Sequence, residues 1–177
     1  PHIDYRRGSM SYGITYNHLK QEDHQIYIII GTSHQYSPRM FHLTSKHFAT
    51  PLGQLNCEKE FVRMLADLYG EERSFADEIL HKKEHSLELQ TPFIRKLREN
   101  STIVPILVGS FHQMLQSGKR PEEFEEYDKF TASLLECYKH FSRAGNRICI
   151  VAGVDMAHIG KHFGDNEALT PEKMERI

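Results

Sequence analysis

Four short stretches of this 177-residue sequence set side chains that can bind a metal or move a proton beside residues that turn the backbone. Gly31-Thr32-Ser33-His34 delivers an imidazole just after a glycine. Glu84-His85-Ser86-Leu87-Glu88 bunches two carboxylates and an imidazole within about one helical turn, since residues three and four apart share a face. Asp155-Met156-Ala157-His158 pairs a carboxylate with an imidazole, and Pro1-His2-Ile3-Asp4 does so at the start of the chain. Imidazole nitrogens are ligands for iron, zinc and copper, and they titrate near neutral pH, so the chemistry on offer is metal binding, acid/base catalysis or both. Each stretch also has a plainer reading. A lone His34 would only hydrogen-bond a neighbouring carbonyl, and Glu84 would only be a polar cap favoured by a helix dipole. The functional reading needs the stretches to meet.

The elements around these residues predict that they do. Gln25-Ile26-Tyr27-Ile28-Ile29-Ile30 is a run of large apolar residues that does not alternate, which fits a strand covered on both faces. In open α/β sheets, ligands bind beyond the carboxyl ends of such strands, where His34 falls. Residues 102–109 read as another buried strand, with Pro105 pointing to an edge or a bulge. Residues 146–154 read as a third apolar strand, leading into Asp155 and His158, and a missing strand before His2 would make a fourth. Ser9 to Lys20 reads as an amphipathic helix capped near Ser9 or Ser11, with Tyr12, Tyr16 and Leu19 inward. Asn56 is the expected cap of a helix carrying Phe61, Leu65 and Leu68 and ending at Gly70. Residues 121–141 form the clearest helix, with a packing stripe of Phe124, Tyr127, Thr131, Leu134, Tyr138 and Phe141. Residues 87–97 have helical spacing that Pro92 either kinks or restarts. The long connection from Gln35 to Asn56 holds two short strands around Ser45, a turn at Thr50-Pro51-Leu52-Gly53 and the expectation of a lid or pocket wall. His42 and His47 within it read as solvated surface.

Composition narrows the function classes. Lys+Arg 22 against Asp+Glu 24 gives a formal charge of −2 without a basic cluster, so nucleic acid is not an expected partner. The longest apolar run, residues 148–154, is far short of a membrane span, and the first 20 residues have no signal-peptide form, so a soluble, cytoplasmic protein is expected. Cys57, Cys137 and Cys149 are odd in number and lack C-x-x-C spacing, which speaks for reduced thiols. Length and the absence of linker-like tracts predict one domain over residues 1–177, an α/β layered sheet with flanking helices, lacking an upstream strand and a C-terminal part.

Taken together, Pro1-His2-Ile3-Asp4-Tyr5-Arg6-Arg7-Gly8, Gly31-Thr32-Ser33-His34, Thr50-Pro51-Leu52-Gly53, Glu84-His85-Ser86-Leu87-Glu88, and residues 153–160 followed by His162-Phe163-Gly164-Asp165 resemble the Memo family, in the bacterial and archaeal branch called AmmeMemoRadiSam system protein B. Each motif is short, and they run through nearly the whole chain in the family's order. The family is similar to the class III extradiol dioxygenases, so the resemblance implies that fold and a non-haem iron-type site. By motif position it makes His2 and His34 paired metal ligands and His85 the acid/base histidine. In animal members a cysteine stands where this chain has Ala157, so the third ligand falls to Asp155 or His158. The resemblance implies a divalent metal, Fe(II) first and Zn or Cu as alternatives, a small-molecule substrate, and a functional link to a radical SAM protein and an AMMECR-type protein. The resemblance supplies neither substrate nor reaction; two imidazoles with a carboxylate leave positions open on Fe(II), which puts a metal-dependent oxygenase or redox enzyme first, with a metal hydrolase and a metal-binding scaffold or interaction module with a degenerate site as the alternatives.

Overall fold

The structure is a computed structural model that describes residues 1–175. In chain order its elements are α1 (Tyr5–Leu19), β1 (Ile26–Thr32), β2 (Phe41–Leu43), β3 (Phe48–Thr50), β4 (Gly53–Cys57), α2 (Lys59–Tyr69), α3 (Glu71–Phe75), α4 (His85–Glu88), α5 (Thr91–Leu97), β5 (Thr102–Val108), α6 (His112–Ser117), α7 (Glu125–Arg143), β6 (Ile148–Gly153) and α8 (Pro171–Met174). This is the α/β layered architecture that the sequence predicts.

The apolar run of β1 makes it the axis of the sheet. It pairs in parallel with β5 from Ile26↔Thr102 to Thr32↔Val108, and in parallel with β6 from Ile26↔Ile148 to Gly31↔Gly153. Its side chains then feed two cores by simple alternation. Ile26 and Ile28 pack with Phe61, Leu65, Val104 and Phe130, whereas Tyr27 and Ile29 pack with Tyr12, Tyr16, Leu87 and Ile94. Each such isoleucine contributes about 1.5–3 kcal/mol on burial, which is why an alternating strand would not serve here. Parallel pairing has a second result: β1 and β6 end at the same edge, so the loops carrying His34 and Asp155 emerge side by side.

Pro105 lies in the interior of the sheet, not at its edge. β5 is flanked on its outer side by two short strands, β4 pairing with Thr102 and Ile103, and β2 pairing antiparallel with Ile106, Leu107 and Val108. Thr102 donates its N–H to Gln25 on the β1 side, while the Ile103 carbonyl accepts from Glu58 on the other. Alternation turns the Pro105 nitrogen toward the gap between β4 and β2, where no ladder donor is missed.

Local boundaries also differ from the periodicity. α1 begins at Tyr5 because the Asp4 side chain accepts from the Arg7 N–H at 3.1 Å and so caps it, one turn before Ser9. Asn56 is not a helix cap but part of β4, where Leu55 and Cys57 face inward and Gln54 and Asn56 outward; the cap position of α2 is Glu58. The expected pair of strands around Ser45 exists as β2 and β3, which do not pair with each other: β3 turns back through Pro51-Leu52 onto β4. Gly53 closes that turn with φ +106°, a conformation that favours glycine. Pro92 restarts the chain as α5 rather than kinking one helix. Residues 121–123 form a separate 3-10 turn before α7, and the deepest line of α7 is Phe130, Ser133 and Cys137, flanked by the half-buried stripe expected from the sequence. β6 is an edge strand of the described sheet, so Val151 is buried and Ile150 is exposed. No helix among the described residues is long and apolar enough to cross a membrane.

Candidate metal centre

The strand ends converge because two glycines let a helix lie directly on them. A Cβ on Gly31 would come within 2.4 Å of Ser86 Oγ and 2.7 Å of Leu87 Cδ2, and one on Gly153 within 2.7 Å of the Ser86 carbonyl oxygen. α4 therefore rests on the ends of β1 and β6, and the Ser86 hydroxyl fastens it by donating to the Thr32 carbonyl at 2.8 Å. This close seat brings Glu84 and His85 beside His34.

His2 arrives from the other side. Its segment is held by a buried polar network in which Tyr12 donates to the carbonyls of Pro1 and Ile3 at 3.2 and 3.0 Å, and Gln90 donates to Pro1 at 2.9 Å. Tyr16 in turn donates to Gln90 at 2.8 Å. The ring centroids of His2, His34 and His85 then lie 4.7–5.1 Å apart, and one ligating nitrogen from each falls within 4.8 Å of the others.

His2 and His34 are anchored through Nδ1, and His85 sits beside the same carboxylate as His34. His2 Nδ1 is 2.9 Å from the Gly153 carbonyl, His34 Nδ1 is 2.9 Å from Glu84 Oε1, and His85 Nδ1 is 3.3 Å from the same oxygen. A carbonyl only accepts, so His2 Nδ1 donates, and the Glu84 carboxylate likewise takes the hydrogen of His34 Nδ1, while His85 lies beside that carboxylate without a hydrogen bond to it. The Nε2 atoms of His2 and His34 face the two oxygens of Asp155 at 3.3 and 3.0 Å; a carboxylate only accepts, so His34 Nε2 donates as well, and the ring would release that proton on taking an ion. Asp155 is held by its backbone N–H, which donates to Thr32 Oγ1 at 3.3 Å.

Glu84 is the hub. Its carboxylate is buried, accepts the backbone N–H groups of His34 at 2.8 Å and Ser86 at 3.0 Å, and faces both imidazoles. Burial pushes its pKa up, but the His34 and Ser86 N–H groups and the His34 ring outweigh that and hold it below the ordinary carboxylate value. For His34 the opposing effects are burial, which lowers the pKa, and Glu84 followed by Asp155, which raise it; the net shift is upward.

The donor set fits a divalent ion. Anchored imidazoles with a carboxylate between their Nε2 atoms are, once His34 has lost its Nε2 proton, the ligand types that Fe(II) and Zn(II) take, and a carboxylate behind a ligating histidine is the usual outer partner. His34, His2, His85 and Asp155 are thus brought together. His158 stands at the margin: its Nε2 is 3.6 Å from Asp155 Oδ1, and its ring stacks on Phe163 at 4.7 Å between centroids. His47 is exposed elsewhere, its Nδ1 accepting from the Cys57 N–H at 3.0 Å, and His42 is fully buried rather than solvated. Sequence reasoning missed Tyr12 and Gln90 as the holders of His2, because a tyrosine on an amphipathic stripe looks like core and a single glutamine has no periodic signal.

A Memo-like protein family model matches residues 1–177, the whole chain. The chain belongs to the Memo family. It is similar to MEMO1 family proteins of Aquifex aeolicus (strain VF5), 28% identical over 99% of this chain and 43% of the relative, and of Archaeoglobus fulgidus, 28% identical over 89% of this chain and 53% of the relative. A MEMO1 family protein of Caldivirga maquilingensis is 30% identical over 86% of this chain and 48% of the relative. The chain spans about half the length of these curated Memo relatives.

Proposed function

We propose that this Memo-family chain carries the metal-binding half of a non-haem iron-type oxygenase or redox enzyme acting on a small molecule. The observation that carries the proposal is the shared orientation of two histidines: Nδ1 of His2 is held by Gly153 and that of His34 by Glu84, and their Nε2 atoms meet at Asp155. His2, His34 and Asp155 form a two-histidine, one-carboxylate set, which leaves coordination positions open for oxygen and substrate. When bound, the ion supplies Lewis-acid and redox chemistry at that place. The chain's own residues do the rest. Glu84 fixes His34 for ligation and keeps His85 oriented, with its ring partly open to solvent, to take or give a proton as the acid/base group. His158 lies one turn of chain from Asp155 and steadies that carboxylate.

A second reading is favoured by the proximity of the three imidazole nitrogens. If His85 ligates, the set becomes three histidines with an open fourth place, a zinc-type arrangement suited to hydrolysis. A metal-binding scaffold is what either reading reduces to if turnover is never found. The family resemblance also supports a functional link to a radical SAM protein and an AMMECR-type protein, and the short apolar runs of the sequence support a cytoplasmic site of action.

Metal analysis of anaerobically purified full-length protein tests the proposal. It should hold about one iron per chain, kept by His85→Ala and lost by Asp155→Ala. Zinc lost by His85→Ala would replace the oxygenase reading with the hydrolase one. Full-length protein that binds no divalent ion would end both.

A further inference from the structure

A cavity of about 510 Å³, whose lining includes none of His2, His34 and His85, lies between residues 44–49 and the Glu78–Lys82 turn, with Glu88 of α4 at its side. Its size is that of small-molecule sites. Phe48, Ala49 and Ile79 give it an apolar wall, and Ile79 is 69% exposed although it is a large aliphatic residue. Lys46 and Lys82 line it as cations and Glu78 and Glu88 as anions, yet no lysine here lies within 4 Å of a carboxylate among the described residues. Of the four, Glu78 alone has a side-chain partner, accepting from Thr44 Oγ1 at 2.7 Å.

His81, 8% exposed, completes the wall. Its Nε2 lies 3.1 Å from the His42 carbonyl, which only accepts, so Nε2 carries the hydrogen. Burial drives the ring's pKa down to about 4, so it is neutral and Nδ1 is a lone-pair acceptor. That acceptor is sealed in without a partner, so the ring backs the cavity wall and does not reach into the hollow.

We propose that this cavity is a second ligand site, separate from the metal centre, for a small zwitterion with an apolar body, such as an apolar dipeptide. Its carboxylate would meet Lys46 and Lys82, its ammonium or amide N–H groups would meet Glu88 and Glu78, and its side chains would cover Phe48, Ala49 and Ile79. Charges of both signs that ignore each other across one apolar hollow match a ligand that carries both.

Calorimetric titration of full-length protein with leucylphenylalanine tests this. The expected result is saturable one-site binding, unchanged by a chelator. The N-acetylated dipeptide and the dipeptide amide, each lacking one charge, should bind at least about tenfold more weakly, as loss of one charge-assisted contact implies. The double variant Lys46→Glu, Lys82→Glu should lose binding, and Ile79→Ser should weaken it about fivefold, whereas Lys119→Glu should not. Melting temperatures confirm that each variant is folded. Absence of saturable binding, equal binding of both capped forms, or full binding by the double lysine variant would overturn the proposal.

Discussion

Histidines gather in two regions of this molecule and behave in opposite ways. At the ends of β1 and β6, His2 and His34 have their Nδ1 atoms tied to fixed acceptors and their outer nitrogens facing Asp155, with His85 close beside them. Around β2 and the Glu78–Lys82 turn, His42 and His81 are sealed in, both with pKa values lowered by burial. Neither His42 nitrogen has a hydrogen-bond partner. The contrast shows that the number of imidazoles does not make a ligand site. An acceptor behind the ring and space in front of it do, and both depend on a helix seated on two glycines.

The sharpest way to break the comparison is to remove one ring from each region. In full-length protein, His34→Ala should lower metal affinity by more than about 100-fold, exceeding the usual effect of an outer-shell change, with little loss of fold. His47→Ala should leave metal content unchanged. His42→Ala should cost about 1–3 kcal/mol of stability, read by denaturant unfolding, without affecting the ion in the folded fraction. Metal loss on the same scale in all three would mean adventitious binding.

The pH responses of the two regions should have opposite signs. His81 titrates near 4 when folded and near 6.5 when unfolded, so between those values the unfolded chain binds the extra proton. Its contribution is intact above pH 6.5 and is lost as pH falls toward 4, by about 3 kcal/mol. His34 has a raised pKa, so its contribution is present below 6.5 and is lost as pH rises through the folded value. Melting temperatures of chelator-treated protein should show His81→Gln flattening the acid side and His34→Gln the opposite side. The same sign for both variants would refute the contrast.

Glu84→Gln tests the hub more gently. The amide keeps an acceptor for the Ser86 N–H but no longer holds two rings by charge, so metal affinity should fall by about 10- to 100-fold while α4 remains capped. Cobalt titration followed by its visible spectrum would read this, and unchanged affinity would reduce Glu84 to a cap. The smallest effect is expected from Tyr12→Phe, which removes the donor to Pro1 and Ile3: about 1 kcal/mol of stability, with a modest fall in metal affinity through a looser His2.

Much of this was legible in the chain itself. Five unbroken apolar residues before Gly31 fit a strand covered on both faces, which placed β1 inside the sheet and His34 just beyond its carboxyl end. Asp155 followed from the same rule applied to β6, and Glu84 was visible as a cap because carboxylates suit helix starts. What the sequence could not decide was set by partners distant along the chain. Pro105 is harmless because its nitrogen faces the gap between β4 and β2. His42 is buried because β2 folds onto β5, although its polar neighbours suggested solvent. Glu84 serves three groups at once because Gly31 and Gly153 allow α4 to touch the strands. Periodicity records which face of an element is apolar; which atoms meet across 50 or 150 residues is decided only when those faces pack.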